Sequence, residues 1–242
     1  MVKDNATANH SCQYAGRELD LFAAADQWKG YWSSTLREHL RGCVLEVGAG
    51  IGANVPHLLT SRVERMVVLE PDRDLFVRLV ERVGAEVPGG VTFVHGTLTA
   101  LPTDQDFDTV AYIDVLEHIA DDAAELAAAS ARLRPGGCLI VLAPAHQFLY
   151  SEFDRAIGHF RRYDTRSLAR LGPPGCRLKT IGYLDSVGLL ASLGNVLLLR
   201  RPTPSPRQIL FWDRVLVRLS KVVDKVFGYR LGKTIVAVWE RP

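Results

Sequence analysis

Apolar residues fall along this chain in two alternating patterns. Apolar or largely apolar runs occupy 43–47 (interrupted by Glu46), 66–69, 91–94 (with Thr92), 107–113 (with Asp108 and Thr109) and 138–143. Stretches of helical period lie between them, over about 51–60, 72–84 and 120–133. Runs of this length predict strands buried on both faces, and their alternation with helices predicts a parallel sheet covered on both sides. Asp72 opens one helix and Asp121-Asp122 another, acids favoured at that end, and Arg134-Pro135-Gly136-Gly137 stops the second. Two more strands follow at 178–183 and 234–239. The expected fold is α/β: a Rossmann-like, seven-stranded, mostly parallel sheet with helices on both faces.

The flanks carry different patterns. Residues 1–13 read as disordered, and 14–40 as helical. Leu19, Phe22, Ala23, Ala25 and Trp28 form an apolar stripe that Tyr31, Trp32, Leu36 and Leu40 continue. Such a helix either packs on the sheet edge or forms a lid whose Tyr14, Trp28 and Trp32 wall a ligand pocket. Before the last strand, 186–199 holds no charge and 207–227 is amphipathic. The division expected is an N-terminal helical lid, 1–40, and a ligand-binding domain, 41–242, with a helical insertion over about 186–230. In 207–227, Arg214, Arg218, Lys221 and Lys225 make one stripe, and Trp212, Val215, Leu216, Leu219, Val222 and Val226 the opposite one. The plain reading docks the apolar stripe on the core. The sharper one is an interfacial helix, making peripheral membrane contact through 200–233 or walling a lipid-like substrate.

Composition narrows the class. The 242 residues are 48% apolar and 23% charged, which suits one large globular domain. The net charge of +2 singles out no partner, although 200–233 alone carries +7 and leaves −5 elsewhere. The basic stripe lacks interleaved aromatics, so no nucleic-acid partner is expected. Cys12, Cys43, Cys138 and Cys176 show no C-x-x-C spacing, and residues 1–16 have no signal-type apolar core. No uncharged run reaches the length of a membrane span. These features predict reduced thiols and a cytoplasmic protein.

The most informative stretch is Val44-Leu45-Glu46-Val47-Gly48-Ala49-Gly50-Ile51-Gly52. Closely spaced glycines after a strand make a tight turn and let backbone N–H groups approach a ligand at a helix N-terminus. Glu70 follows 22 residues after Gly48. By itself this fits nicotinamide dinucleotides and S-adenosylmethionine equally, because both present a ribose to an acid at the end of the second strand.

Three further segments add to it: Val-Leu-Glu-Pro-Asp (68–72), Phe-Asp-Thr-Val-Ala-Tyr-Ile-Asp-Val-Leu-Glu-His-Ile (107–119) and Leu-Arg-Pro-Gly-Gly (133–137). Together with the loop they resemble the class I S-adenosylmethionine-dependent methyltransferases, from about Tyr14 onward. The resemblance implies S-adenosylmethionine as cofactor. Glu46 would lie under the loop and hold the methionine α-amino group. Gly48, Ala49, Gly50 and Gly52 would carry the methionine part, and Glu70, with Pro71 beside it, would take the ribose hydroxyls. Asp114 and Val115 would sit beneath the sulfonium. The family often has Gly-Asp at the adenine. Here the chain has Gly96-Thr97-Leu98, so Thr97 or backbone near Leu98 is left to read that base. Asp114-x-x-Glu117-His118 also resembles the Glu-x-x-Glu-His cluster of some quinone and RNA methyltransferases, which can bind a divalent metal. The expectation here is no metal, with Glu117 and His118 stabilising the turn.

Acceptor chemistry should follow the fifth strand, at the carboxyl end of the sheet. Residues 144–163 are rich in His, Arg and aromatics. This stretch resembles a bacterial subgroup of these methyltransferases. His146 is the first candidate for a base and His159 the second. Tyr150 and Arg161 are candidates to touch the acceptor. The expected activity is methyl transfer to a small molecule, with O-methylation ahead of N-methylation, in specialised metabolism. The alternatives are a lipid- or quinone-directed enzyme at the membrane surface, a nicotinamide-dependent oxidoreductase, and a non-catalytic nucleoside-binding protein.

Overall fold

A computed structural model describes residues 18–87, 90–194 and 205–242. The chain begins there with two short helices, α1 (Glu18–Ala23) and α2 (Asp26–Leu36). The continuous helix expected over 14–40 is therefore broken after Ala23. Lys29 Nζ donates to the carbonyls of Phe22 and Ala23, both at 2.8 Å, which satisfies the end of α1 and fixes the break. Tyr14 and residues 1–13 lie outside the described residues.

The alternating units follow as β1 (Gly42–Val47), α3 (Val55–Leu58), β2 (Val63–Glu70), α4 (Arg73–Glu86), β3 (Val91–His95), β4 (Phe107–Ile113), α5 (Asp122–Ala131) and β5 (Leu133–Pro144). The helix expected over 51–60 shrinks to four residues, because the glycine loop uses the chain up to Asn54. β5 starts earlier than expected. The Arg134–Gly137 segment is an irregularity within the strand, where register with β4 shifts between Phe107 and Thr109. Beyond it come α6 (Glu152–Ala156), α7 (Thr165–Arg170), β6 (Arg177–Leu184), α8 (Ser186–Gly194), α9 (Pro206–Phe211), a π-helical turn (Trp212–Leu216), α10 (Val217–Val226) and β7 (Thr234–Glu240).

The seven strands form one sheet in the order β3-β2-β1-β4-β5-β7-β6. β1 to β5 pair in parallel, and β7 runs antiparallel between β5 and β6. Successive side chains go to opposite faces. Met66, Val68, Ile140 and Leu142 join Trp28, Trp32, Leu79 and Trp212 on one side. Val67, Leu69, Leu139 and Val141 join Leu116, Leu126, Tyr163 and Leu168 on the other. Full burial of one such side chain contributes about 1.5–3 kcal/mol. The strand order reverses at β1, which lies between β2 and β4. A crevice for ligands therefore opens at the carboxyl ends of β1 and β4. Among the described residues no helix is long and apolar enough to cross a membrane.

Candidate active site

The glycine loop leaves β1 at that crevice. Gly48 has φ +69°, and a Cβ there would lie 2.8 Å from Val115 Cγ1, so neither the conformation nor the space admits a side chain. Ala49 N–H donates to the Leu69 carbonyl at 2.8 Å, tying the loop to β2. Glu70, at the end of β2, is buried and uses both oxygens as a clamp. Oε2 accepts from Gly50 N–H at 2.7 Å and Oε1 from Asp72 N–H at 2.8 Å. Burial pushes its carboxyl up, and these two N–H groups pull it back. Each oxygen keeps a lone pair for a further donor. Gly52 has φ +76°, and a Cβ there would meet Val83 at 2.5 Å and Leu79 at 2.7 Å. It packs the loop on α4 and does not face the cavity.

Glu46 lies beneath the loop, almost wholly buried, and neither oxygen accepts a well-formed hydrogen bond. Burial pushes its carboxyl up to about 8, with Asn54 favouring the ionised form and Glu70 opposing it. Thr97 is exposed, with its hydroxyl 3.0 Å from that of Thr99, and Leu98 is buried in the core. Neither lines the cavity, nor do Pro71, Glu46, Glu70 and Val115, the last three lying behind the loop and turn that do.

Across the crevice, Asp114 leaves β4 with φ +55° and opens onto the cavity. The depth of the cavity pushes its carboxyl up to about 7, opposed by Lys233, Lys29 and Arg162. A short turn then presents Glu117 and His118. Glu117 is buried with neither oxygen bonded, and desolvation together with Asp114 holds its carboxyl well above the ordinary range. His118 is pushed down to about 4 by burial and by the neighbouring His159, so it is a neutral imidazole.

His159 faces this turn. Its Nδ1 lies 2.9 Å from Asp154 Oδ1, its Nε2 lies 3.8 Å from Glu117 Oε1, and its ring meets that of His118 edge-on at 4.6 Å. Burial pushes the Asp154 carboxyl up, but hydrogen bonds from His159, from Arg162 Nε and Nη2 at 2.8 and 3.0 Å, and from Ser151 outweigh it and hold the carboxyl well below the usual range. Tyr150 does not reach the cavity. Its hydroxyl donates to the His159 carbonyl at 2.7 Å and so supports the ring.

Two further sequence candidates lie away from the cavity. His146 adopts φ +66° and does not line it. The ring stacks between Phe148 and Tyr183, with Nε2 2.9 Å from the Gly232 carbonyl. Arg161 pairs with Asp122 and donates to the Ala120 carbonyl, so it serves the turn before α5. Its neighbour Arg162 faces the cavity instead. Trp28 and Trp32 do line the cavity. So do Lys29 and Lys233, which the sequence did not single out. The only signal for Lys29 was a cation beside an apolar stripe.

One cavity joins the two sides. It holds Gly48 to Ile51, Ala53 and Asn54 on one wall and Asp114, Glu117, His118, Asp154, His159 and Arg162 on the other, under a roof of Leu19, Phe22, Trp28, Trp32, Phe153 and Trp212. Its space, mouth included, is about 1230 Å³. Among the described residues, Glu117, His118 and His159 bring donor atoms within 4.8 Å of one another. One carboxylate and two imidazoles suit a divalent transition metal.

Residues 45–139 match the family model described as a methyltransferase domain. No curated protein matches the chain in sequence. Solved structures do match in fold. A Bacillus halodurans protein assigned as a methyltransferase is 15% identical with a TM-score of 0.60, over 87% of this chain and 98% of its own. The cyclase SpnF is 13% identical with a TM-score of 0.60, over 94% and 95%. Phosphoethanolamine N-methyltransferase 2 of Haemonchus contortus, in complex with phosphomonomethylethanolamine and S-adenosylhomocysteine, is 14% identical with a TM-score of 0.57, over 92% of this chain and 58% of that one. Residues 45–139 thus match a methyltransferase-domain model, and the chain has the fold of the class I S-adenosylmethionine-dependent methyltransferases.

Proposed function

We propose that the chain transfers a methyl group from S-adenosylmethionine to a hydroxyl of a small, largely apolar acceptor. The observation that carries this is the His159–Asp154 pair, set in the same cavity as the glycine loop. A hydroxyl acceptor needs its proton removed as the methyl arrives, and an imidazole oriented by a buried carboxylate supplies the base. Asp154 accepts a hydrogen bond from Nδ1–H, which leaves Nε2 free of its proton and able to accept. Glu46, Gly48, Ala49, Gly50 and Glu70 hold the cofactor, with Glu46 meeting the ammonium and Glu70 the ribose. Asp114 and Val115 support the sulfonium end. Trp28, Trp32 and Phe22 of the helical lid cover the acceptor and exclude water. Cys43, Cys138 and Cys176 are free thiols, which suits the cytoplasmic location in this reading.

Fold alone does not carry the chemistry, since SpnF is a cyclase on the same scaffold. The direct test incubates the protein with methyl-labelled S-adenosylmethionine and a panel of phenols, aliphatic alcohols and amines. Label on a hydroxyl oxygen supports the proposal. Label only on amines, or none on any acceptor, counts against it. The unbonded Glu117 favours a second reading, in which Glu117, His118 and His159 hold a metal that ionises the acceptor. Loss of turnover on chelation, restored by Zn²⁺ or Mn²⁺, would replace the free base with that metal.

A further inference from the structure

The segment Pro206–Val226 carries three interleaved rows of side chains, each spaced by four, three and four residues. Asp213, Val217, Ser220 and Asp224 form the inward row, all buried. Arg214, Arg218, Lys221 and Lys225 form the next, and Val215, Leu219, Val222 and Val226 the third. Each row stands about 100° around the helix from the last.

The inward row docks through its polar groups. Asp213 accepts from Trp28 N–H at 2.8 Å, and Asp224 accepts from Tyr31 Oη and Asp185 N–H, both at 2.7 Å. The sequence reading that docked the apolar stripe holds for Trp212 and Leu216, which pack against the core, and fails for Val215, Leu219, Val222 and Val226. Of that stripe Trp212 is buried, but the third row and Phe211 turn to the outside. Phe211 is 57% exposed, Val215 41%, Leu219 51%, Val222 64% and Val226 77%. A continuous exposed row of this kind marks an interaction surface.

Charge selects what covers it. The only acids in 205–233 are Asp213 and Asp224, both buried. The outer cations Arg207, Arg214, Arg218, Lys221, Lys225 and Arg230 form no ion pair with a described residue. We propose that this face docks on an anionic lipid bilayer, with the aliphatic row in the interface and the cation row on the headgroup phosphates and carboxylates. A second copy is the poorer occupant, because two-fold pairing would set the cation rows against each other. A nucleic acid would use the cations and leave the aliphatic row in water. The same segment sends Trp212 into the cavity wall against Phe22, with ring centroids 6.1 Å apart. Docking therefore brings an apolar part of the cavity wall toward the bilayer.

The test needs neither cofactor nor acceptor, so its outcome is separate from that of the methyl-transfer reading. The full chain is sedimented with vesicles of phosphatidylcholine alone and of phosphatidylcholine with about 30% phosphatidylserine. Binding is expected on the anionic vesicles, at least about tenfold tighter than on the neutral ones, and weakened as salt rises from about 0.1 to about 0.5 M. Leu219→Ser with Val222→Ser and Val226→Ser should lose at least about tenfold in binding with an unchanged melting temperature, because these side chains touch water rather than the core. Arg218→Glu with Lys225→Glu should do the same through charge alone. Absence of wild-type binding, equal binding to both vesicles without salt dependence, or full binding by both variants would overturn the proposal. A dimer in light scattering that the triple variant disperses, without vesicle binding, would assign the face to a second copy.

Discussion

Asp154 and His159 are joined Oδ1 to Nδ1 at 2.9 Å, and Arg162 grips both oxygens of the same carboxylate. These contacts fix the imidazole, with Nε2 turned toward Glu117.

If that imidazole is the base, His159→Ala lowers the methyl-transfer rate by about 10²–10⁴-fold, while affinity for S-adenosylhomocysteine changes little. His146→Ala, by contrast, leaves the rate within a few-fold, since His146 sits outside the cavity. Single-turnover rates at saturating cofactor separate the two. A large loss for His146 with none for His159 would reverse their roles.

Glu70 makes a different prediction, because its two oxygens already hold the N–H groups of Gly50 and Asp72. Hydrogen bonds to a charged group are worth about 1.5–3 kcal/mol each. Glu70→Ala therefore lowers both the melting temperature and the affinity for S-adenosylhomocysteine, the latter at least about tenfold. Calorimetry showing unchanged affinity would mean that the ribose is held elsewhere.

The parts of this site that were legible in the sequence are those with a local signal. A buried strand running into Gly48-Ala49-Gly50, a second ending at Glu70 and a third ending before Asp114 needed no tertiary knowledge. The choice between His146 and His159 was not legible. Both follow β5 within sixteen residues, and only tertiary packing places the His146 ring between Phe148 and Tyr183 and that of His159 at the cavity. The outer helix misled for a related reason. An apolar stripe ordinarily marks the core face, but Asp213, Ser220 and Asp224 are buried because their hydrogen-bond partners lie on other helices and on the turn after β6.

Gly52 tests the packing role directly. An added methyl would overlap Val83 and Leu79 at a backbone angle that disfavours side chains. Overpacking costs about 1–3 kcal/mol, and the left-handed conformation about 1–2 kcal/mol more. Gly52→Ala should lower the melting temperature by several degrees. A variant as stable as the wild type would show that the loop moves freely on α4.

Glu46 ties the fold to its ligand through a proton. Its carboxyl is pushed up to about 8 inside the protein, against about 4.3 in an unfolded chain. A group that binds its proton more tightly when folded contributes stability fully below the unfolded value and loses it as pH rises through the folded one. The ligand-free protein should therefore lose stability between about pH 4.3 and about pH 8 through this residue, and Glu46→Gln should flatten that part of the profile. When the ammonium of S-adenosylhomocysteine arrives, the ionised form becomes favoured and the proton leaves. Calorimetric titration at pH 7 in buffers of different ionisation enthalpy should show close to one proton released by the wild type and none by Glu46→Gln. Equal release from both proteins would mean that the ammonium is met by some other group, and Asp114, which lines the cavity, would be the next to test.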